Sequence, residues 1–295
     1  MPASTILAAV GQFPQDTAVL ARAVALSVAH GARLHVVHIL DLPESSAFPG
    51  DVGTLFGQAE IAARDTIKAA LAELDVAPDR IEIHIEAGAH ALRLIEICEH
   101  IAPDLIVMRA HQKTKISQRI LGSTTERVIA AGLAPVLVVK QMVGAPYARV
   151  IVATNGNDDA QNALGYVANL LPDAKLHLVQ VVRIAPQLEE AMLRVGTRQS
   201  GLIAHRRNLT RIAKDHLHSL TETIGPRATS QAVTGAPDTV LARLCRNPGV
   251  DLIALGPGRA SLIHRAFIGS VSRRLLRDAA CDVLICTALP KSGLA

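Results

Sequence analysis

The sequence predicts an α/β protein made of two tandem, doubly wound domains, each built on a five-stranded parallel sheet. Composition, the alternation of strand-like and helix-like segments, and an internal repeat support this fold class. Hydrophobic residues make up 49% of the 295 residues, aromatic residues only 2%, and there is no Trp. A core of Val, Ile, Leu and Ala suits buried parallel strands that helices cover on both faces. A chain of this length is expected to form about two domains.

Short aliphatic runs alternate with longer segments whose apolar residues have helical spacing. Continuous Val/Ile/Leu runs are typical of buried strands, whereas Thr17–His30 carries small apolar residues at the helical spacing. This alternation implies right-handed crossovers between parallel strands. Each half is therefore predicted to contain five strands separated by helices. The strands are expected at 5–10, 33–40, 80–85, 104–108 and 135–139, and again at 148–154, 175–182, 228–233, 250–255 and 282–286.

The second half of the chain repeats the first. Residues 88–139 align without a gap on residues 235–286 at a constant offset of 147 (235 − 88), which pairs Asp104 with Asp251 at the start of two "DLI" segments. Repetition over this length indicates a duplicated domain. The predicted domains are 1–141 and 148–290, joined by a short segment that contains Gly and Pro.

Charge and cysteine content exclude several classes of partner. The formal net charge of +4 suits anionic ligands but is too small to indicate nucleic acid, and aromatic residues for base stacking are nearly absent. The four cysteines lack the spacing of a zinc site, so no metal site is expected from them. Cys98 and Cys245 lie in apolar helical patterns and are expected to be buried free thiols.

Nothing in the sequence indicates a membrane span or a signal peptide. The N-terminal residues lack a basic segment followed by a long apolar one, and no apolar run reaches the roughly 18 residues that cross a bilayer. We therefore expect a cytoplasmic protein in a reducing compartment.

A glycine-containing loop, 256–270, lies between a predicted strand and a predicted helix. Ligands of doubly wound sheets bind beyond the carboxyl ends of the strands, where this loop begins. Gly256 and Gly258 allow a ligand to approach the backbone, and the N–H groups of a helix that starts at Gly269-Ser270 suit phosphate. A simple turn, with Ser270 acting only as a helix cap, explains the loop equally well. The loop matches neither the P-loop nor the dinucleotide fingerprint, and the chain has no hydrolase nucleophile elbow.

Over nearly their whole length, the two halves resemble universal stress protein domains, a family of α/β nucleotide-binding folds. The family carries G-x-x-G, nine residues and then G-[ST] after the fourth strand. The second half matches this pattern in part, with Gly256-Pro-Gly258-Arg259, nine residues and then Gly269-Ser270. The first half keeps only the end of it, with Arg109-Ala-His-Gln112, nine residues and then Gly122-Ser123. Nucleotide-binding members also end their first strand with an aspartate, for which this chain has Gly11 and Asn155.

The resemblance implies a stress-response or regulatory protein that binds an adenine nucleotide in its second domain only. The expected cofactor is ATP, with or without Mg²⁺, and no other is expected. No nucleophile–base pair is identified, so at most slow ATP hydrolysis is expected. The adenosine would contact Ala153, Asn155 and Val181, and the phosphates would contact Gly256, Gly258, Arg259, Gly269, Ser270, Val271 and Ser272.

A second class of function stays open at this point: a structural or signalling module that binds no nucleotide, or a carrier of an apolar ligand. The resemblance also implies a pseudo-two-fold between the halves through strands 135–139 and 282–286. The chain would then be a monomer with an internal pseudo-dimer, or a homodimer. The protein partner is not identified.

Three further segments have simpler interpretations. Ser123 and Glu126 have the spacing of a capping box, which satisfies a helix start without a ligand. The basic segment 194–218 suits either a partner surface or, more commonly, a solvated helix face. His35 and His38 lie three apart on a strand and therefore point to opposite faces, which argues against a metal pair.

Overall fold

A computed structural model describes residues 3–41, 55–74, 76–109, 123–142, 144–156, 159–256 and 268–286. These residues group into two compact units. The first unit contains the described residues up to 146 together with Ile268 and 282–286, and the second contains those of 147–256 and 269–281. No helix in the described residues is both long enough and apolar enough to cross a bilayer.

The first unit is a mostly parallel sheet with helices in the crossovers. Its strands lie in the order β3-β2-β1-β4-β5-β10, and only the last pair is antiparallel. In chain order the elements are β1 (Thr5–Val10), α1 (Thr17–His30), β2 (Arg33–Leu40), α2 (Leu55–Ala72), a 3-10 turn (Pro78–Arg80), β3 (Ile81–Ala87), α3 (His90–Ile101), β4 (Leu105–Arg109), α4 (Ser123–Ala131), β5 (Val136–Val139) and β10 (Asp282–Ile285).

The second unit repeats this arrangement with four parallel strands in the order β9-β6-β7-β8. Its elements are β6 (Arg149–Thr154), α5 (Asp159–Leu170), β7 (Lys175–Val182), α6 (Pro186–Arg194), α7 (Gln199–Ile224), β8 (Ala228–Thr234), α8 (Pro237–Leu244), β9 (Leu252–Leu255) and α9 (Ser270–Asp278).

The predicted fold class is confirmed, and each predicted strand is found with ends shifted by at most two residues. The central strands are apolar along their whole length because both faces are covered. Fully buried side chains include Ile6, Leu7, Leu105, Ile106 and Leu137 in the first unit, and Leu176 and Leu178 in the second.

Two features differ from a plain repetition of strand and helix. Two helices, α6 and α7, connect β7 to β8, because the chain turns at Gly196, whose φ of 81° is accessible to glycine at little cost. The last strand of the second repeat, β10, belongs to the first unit, where it pairs antiparallel with β5, with Val283 opposite Val138.

A repeated aspartate joins the first and fourth strands of each half. The Asp104 carboxylate accepts hydrogen bonds from the backbone N–H groups of Ser4 and Thr5 at 2.7 and 3.0 Å. In the second half, the Asp251 carboxylate accepts from Ala148 and Arg149, both at 2.8 Å. Both contacts hold the fourth strand in register with the first and so position the carboxyl ends where the candidate site lies.

Candidate functional site

The carboxyl ends of three neighbouring strands meet in the second unit. β6 lies between β9 and β7, with Ala153 beside Leu255 and Thr154 beside Gln180. The next residues along these strands, Asn155, Gly256 and Val181, therefore lie at the same edge of the sheet. The order of the strands reverses at β6, which is where doubly wound sheets form their ligand crevice.

The structure therefore brings the predicted adenosine residues together with the start of the glycine loop. Asn155 is exposed, whereas Ala153, Val181 and Gly256 are half-buried. Gly258 and Arg259 lie outside the described residues. The remaining predicted positions begin α9, where Gly269 and Ser270 are exposed and Val271 and Ser272 are half-buried.

The N-terminus of α9 is open towards an anion. Gly269 is the N-cap residue, no side chain caps the helix, and its first turn contains no acidic residue. The first N–H groups of a helix have no acceptor within the helix and carry a partial positive charge. A Cβ built on Gly269 would meet no described atom within 4 Å, so the backbone is accessible there.

Gln180 places an unpaired acceptor beside the same strand ends. Gly156 follows β6 with a φ of 81°, and a Cβ built on it would lie only 2.7 Å from Nε2 of Gln180. The Gln180 carboxamide therefore packs across a position that must be glycine. Its Oε1 is buried without a hydrogen-bond donor among the described residues, which costs about 1–3 kcal/mol if no donor arrives. The sequence analysis did not identify Gln180, although a polar residue within an aliphatic strand was a usable signal.

An ion pair occupies the equivalent edge of the first unit. Asp16 is 1% exposed, and its Oδ2 accepts from the backbone N–H groups of Gly11 and Gln12 at 2.7 and 2.8 Å. Its Oδ1 lies 3.2 Å from Nε of Arg109, which stands at the end of β4. The Arg109 Nη1 also donates to the backbone oxygen of Gln15 at 3.3 Å. The Arg109 side chain thus spans from β4 to the segment that follows β1.

The cation of this ion pair does not recur in the second half. Gly256 stands at the position of Arg109 in the repeat. Sequence reasoning identified Arg109 but missed Asp16, because Asp16 directly precedes α1 and looks like an ordinary N-cap. In the structure its side chain makes no cap bond and turns back to the strand end instead.

His38 occupies the first-half position that corresponds to Gln180. Its Nδ1 donates to the backbone oxygen of Val10 at 3.0 Å. Burial lowers the pKa of His38 below 6.5, so the imidazole is neutral at pH 7. In the first half, the side chain at this position thus pairs with the backbone oxygen of Val10. In the second half, Oε1 of Gln180 has no donor among the described residues.

The start of α4 is held against the end of β4. The Thr125 hydroxyl is fully buried and donates to the Arg109 backbone oxygen at 3.4 Å. Ser272 stands at the equivalent position of α9, so we expect the first turn of α9 to lie beside the end of β9. Glu126 lies in the first turn of α4, but the Ser123 side chain of the predicted capping box, Gln112 and Gly122 lie outside the described residues.

The cysteines offer no nucleophile to this site. Cys98 and Cys245 are buried and form no disulfide, as predicted, and the same holds for Cys281 and Cys286. Burial raises the pKa of Cys98 and of Cys286 to about 12, so both are protonated at neutral pH and unreactive.

The basic segment 194–218 lies largely on the exposed helix α7. Arg206, Arg207 and Lys214 line an open groove of about 420 Å³, to which Thr234 of β8 also contributes. Exposed acidic residues already form ion pairs with some of these cations. Arg211 pairs with Asp215 at 3.1 Å, and Arg206 pairs with Glu189 at 3.8 Å. A solvated face and a partner surface both fit this arrangement.

Comparison with known proteins decides the family. The sequence model of the universal stress protein family matches residues 3–140 and matches again at 146–287. The chain belongs to the universal stress protein family. Its tandem arrangement, predicted from the internal repeat, is thereby confirmed. The finer boundaries at 1–141 and 148–290 stay a prediction.

Individual family members resemble different parts of the chain. A universal stress protein from Synechocystis sp. is 26% identical over 184 residues, which is 61% of this chain and 57% of that relative's length. The solved universal stress protein from Archaeoglobus fulgidus superposes with a TM-score of 0.65 at 16% identity over 96% of each chain, which shows a shared fold. A universal stress protein solved in complex with cAMP covers 48% of this chain at 21% identity, with 99% of its own length matched and a TM-score of 0.37.

Proposed function

We propose that this tandem universal stress protein is a cytoplasmic regulatory protein that binds one adenine nucleotide, ATP with or without Mg²⁺, in its second half. The contrast between the two strand-end sites carries the proposal. The Arg109–Asp16 ion pair occupies the first site, whereas Gly256 takes the position of Arg109 in the second. The second site also holds Oε1 of Gln180, which accepts no hydrogen bond from the residues that the structure describes.

The adenosine half of the proposed site offers both apolar and polar contacts. Ala153 and Val181 are half-buried and present apolar surface on which a base can lie. The exposed Asn155 both donates and accepts hydrogen bonds, which suits ribose hydroxyl groups. Because Oε1 of Gln180 is buried, the exocyclic amino group of adenine would reach it only after the carboxamide turns outward. Such a contact would favour an adenine over a base without an amino group.

The phosphate half of the proposed site is built mainly from backbone. The N–H groups of Gly269, Ser270, Val271 and Ser272 begin α9 and have no acceptor within the helix, which suits an anion. Arg259 is expected to contribute the positive charge of the loop, and Mg²⁺ would neutralise part of the phosphate charge when bound. The proposed role is binding, and any hydrolysis of ATP is expected to be slow.

Isothermal titration calorimetry of the full chain with ATP and Mg²⁺ tests the proposal. We expect one nucleotide per chain for the wild type. Gly269→Val should weaken binding at least about 10-fold, because the branched side chain shields N–H groups whose hydrogen bonds to a charged ligand contribute about 1.5–3 kcal/mol each. Because valine is a poorer N-cap than glycine, the variant should lose no more than about 1 kcal/mol of stability, which thermal unfolding checks.

Gly122→Val is the matched control, because Gly122 stands at the same position of the first repeat. It should leave the affinity within about twofold, given that the first half is not expected to bind. Equal loss from both variants, or two nucleotides per chain, would contradict the assignment to the second half. A wild type that binds no ATP would favour a structural or signalling module or a carrier of an apolar ligand.

A further inference from the structure

Two histidines and a glutamate project from one face at the edge of the first unit's sheet. β2 and β3 are parallel, with His35 in register with Glu82 and Val37 in register with His84. Residues in register share a face of the sheet, and so do alternate residues of one strand. His35, Glu82 and His84 therefore lie on the same face, while His38 lies on the other.

The donor atoms of these side chains lie within reach of a single ion. Nδ1 of His35 is 2.9 Å from Nε2 of His84, and the two rings stack with centroids 5.2 Å apart. Oε2 of Glu82 lies 3.6 Å from Nδ1 of His35 and 3.9 Å from Nε2 of His84. Ligand atoms around a tetrahedral Zn²⁺ are about 3.3 Å apart, so these separations differ from a ligand set by about half an ångström.

The surroundings give this cluster both rigidity and access. His35 is 7% exposed and is held within β2, so its ring is well positioned. The side chains of Glu82 and His84 are 49% and 31% exposed, which leaves room for an ion to enter and for them to adjust. Both imidazoles can offer the facing nitrogen as a ligand when each carries its proton on the other ring nitrogen.

We propose that His35, Glu82 and His84 bind a divalent transition-metal ion, with Zn²⁺ the best match, and leave a fourth position open to solvent. Two imidazole nitrogens and a carboxylate oxygen are ligands that suit Zn²⁺ as well as Co²⁺, Ni²⁺ and Cu²⁺. The cluster lies in the amino-terminal half of its strands and in the first unit. It is therefore separate from the proposed nucleotide site, which lies at the carboxyl ends of strands in the second unit.

The equivalent strand pair of the second half, β7 and β8, keeps only one of the three ligands. His177 repeats His35, but its Nδ1 is 2.9 Å from the hydroxyl of Thr229, which takes the place of Glu82. Gln231 takes the register position of His84. A single imidazole beside a hydroxyl and an amide is a poor transition-metal site, so we expect no binding there.

Arg33 offers a substitution that should strengthen metal binding rather than weaken it. Its Nη1 lies 3.4 Å from Oε1 of Glu82, the carboxylate oxygen that faces away from the histidines. A cation at this position competes with a metal ion for the carboxylate. Removing the positive charge should therefore strengthen metal binding, an effect that misfolding could not produce.

Calorimetric titration with ZnCl₂, on the full chain stripped with a chelator and carrying no histidine tag, tests the proposal. Wild type should bind one Zn²⁺ per chain, and Co²⁺ should give the visible absorption of a tetrahedral site. His84→Ala should weaken Zn²⁺ binding at least about 100-fold and Glu82→Gln at least about 10-fold, since even outer-shell changes cost 10–100-fold. His177→Ala should leave binding unchanged.

Arg33→Gln should tighten binding about two- to fivefold, the range expected for one exposed ion pair. Thermal unfolding without metal should show that each variant is folded. Absence of saturable binding by the wild type, or equal affinity of wild type and His84→Ala, would overturn the proposal. Because no nucleotide is present in this titration, its outcome is independent of the proposed ATP site.

Discussion

At the scale of single residues, the two halves differ in the residue at the end of the fourth strand. Arg109 reaches a buried aspartate, whereas Gly256 at the equivalent position carries no side chain. Asp16 needs compensation because it is 1% exposed, and two backbone N–H groups together with the guanidinium provide it. The Arg109 side chain at the first strand end therefore also compensates the buried charge of Asp16.

Arg109→Ala should lower the free energy of unfolding by about 1–2 kcal/mol, because Asp16 loses its cation but keeps its two backbone hydrogen bonds. The Arg109 side chain is 30% exposed, which reduces the effect below that of a fully buried pair. Urea unfolding followed by circular dichroism measures the difference. Arg194→Ala, which removes an exposed ion pair with Glu190, is the control and should change stability by less than about 0.5 kcal/mol. Equal effects would mean that the buried pair contributes nothing specific.

At the scale of elements, the strand ends are positioned by contacts that both repeats share. Asp104 and Asp251 each join the start of a fourth strand to the start of a first strand. The helices that follow the fourth strands differ more, since α4 has Glu126 in its first turn and α9 has no acidic residue there. The scaffold is thus shared by the two halves of this chain, while the charge in the first turn of the helix after the fourth strand differs.

Asp251→Ala should lower the free energy of unfolding by about 1–2 kcal/mol, because the backbone N–H groups of Ala148 and Arg149 lose a charged acceptor. Asp104→Ala should have an effect of similar size in the first half. Thermal and urea unfolding of both variants check this expectation. Asp173→Ala, an exposed aspartate in the turn before β7, should be nearly neutral. A neutral result for Asp251→Ala as well would show that strand pairing alone maintains the register.

At the scale of the whole molecule, the repeat in the sequence and the unit in space do not coincide. β10 comes from the end of the second repeat but completes the sheet of the first unit. Its Asp282 is 1% exposed and accepts from the backbone N–H groups of Lys140 and Gln141 at 2.7 and 3.1 Å. The first unit therefore needs the far end of the chain. Whether the chain is a monomer or a homodimer stays a prediction.

A fragment ending at residue 146 should self-associate, because it lacks β10 and exposes the edge of β5. Val136–Val139 are at most 1% exposed in the full chain, and an uncovered apolar edge strand pairs readily with another chain. Light scattering at equal concentration should give a molar mass that is a larger multiple of one chain's mass for the fragment than for the full protein. Val138→Lys in the fragment should reduce the association. A monomeric fragment that unfolds cooperatively at the temperature of the full chain would contradict this expectation.

The sequence by itself determined the elements of this protein and their repetition. Buried strands such as β2 were predictable because continuous aliphatic runs have few alternatives in a chain with so few aromatic residues. The start of the last helix was placed to within one residue because Gly269-Ser270 marks it. The repeat assigned equivalent positions in the two halves, and hence the contrast between Arg109 and Gly256.

Only the tertiary structure decided which side chains meet. Asp16 and Arg109 are far apart in the chain, as are Gly156 and Gln180, and so are His35 and His84. The contact between His35 and His84 depends on the register of β2 and β3, since a shift of one residue would turn a side chain to the opposite face, and the other two depend on how loops follow the strand ends. Residue spacing encodes the conformation of a segment, but register arises from the packing of all segments together, which is why sequence analysis predicted the strands and missed the contacts across them.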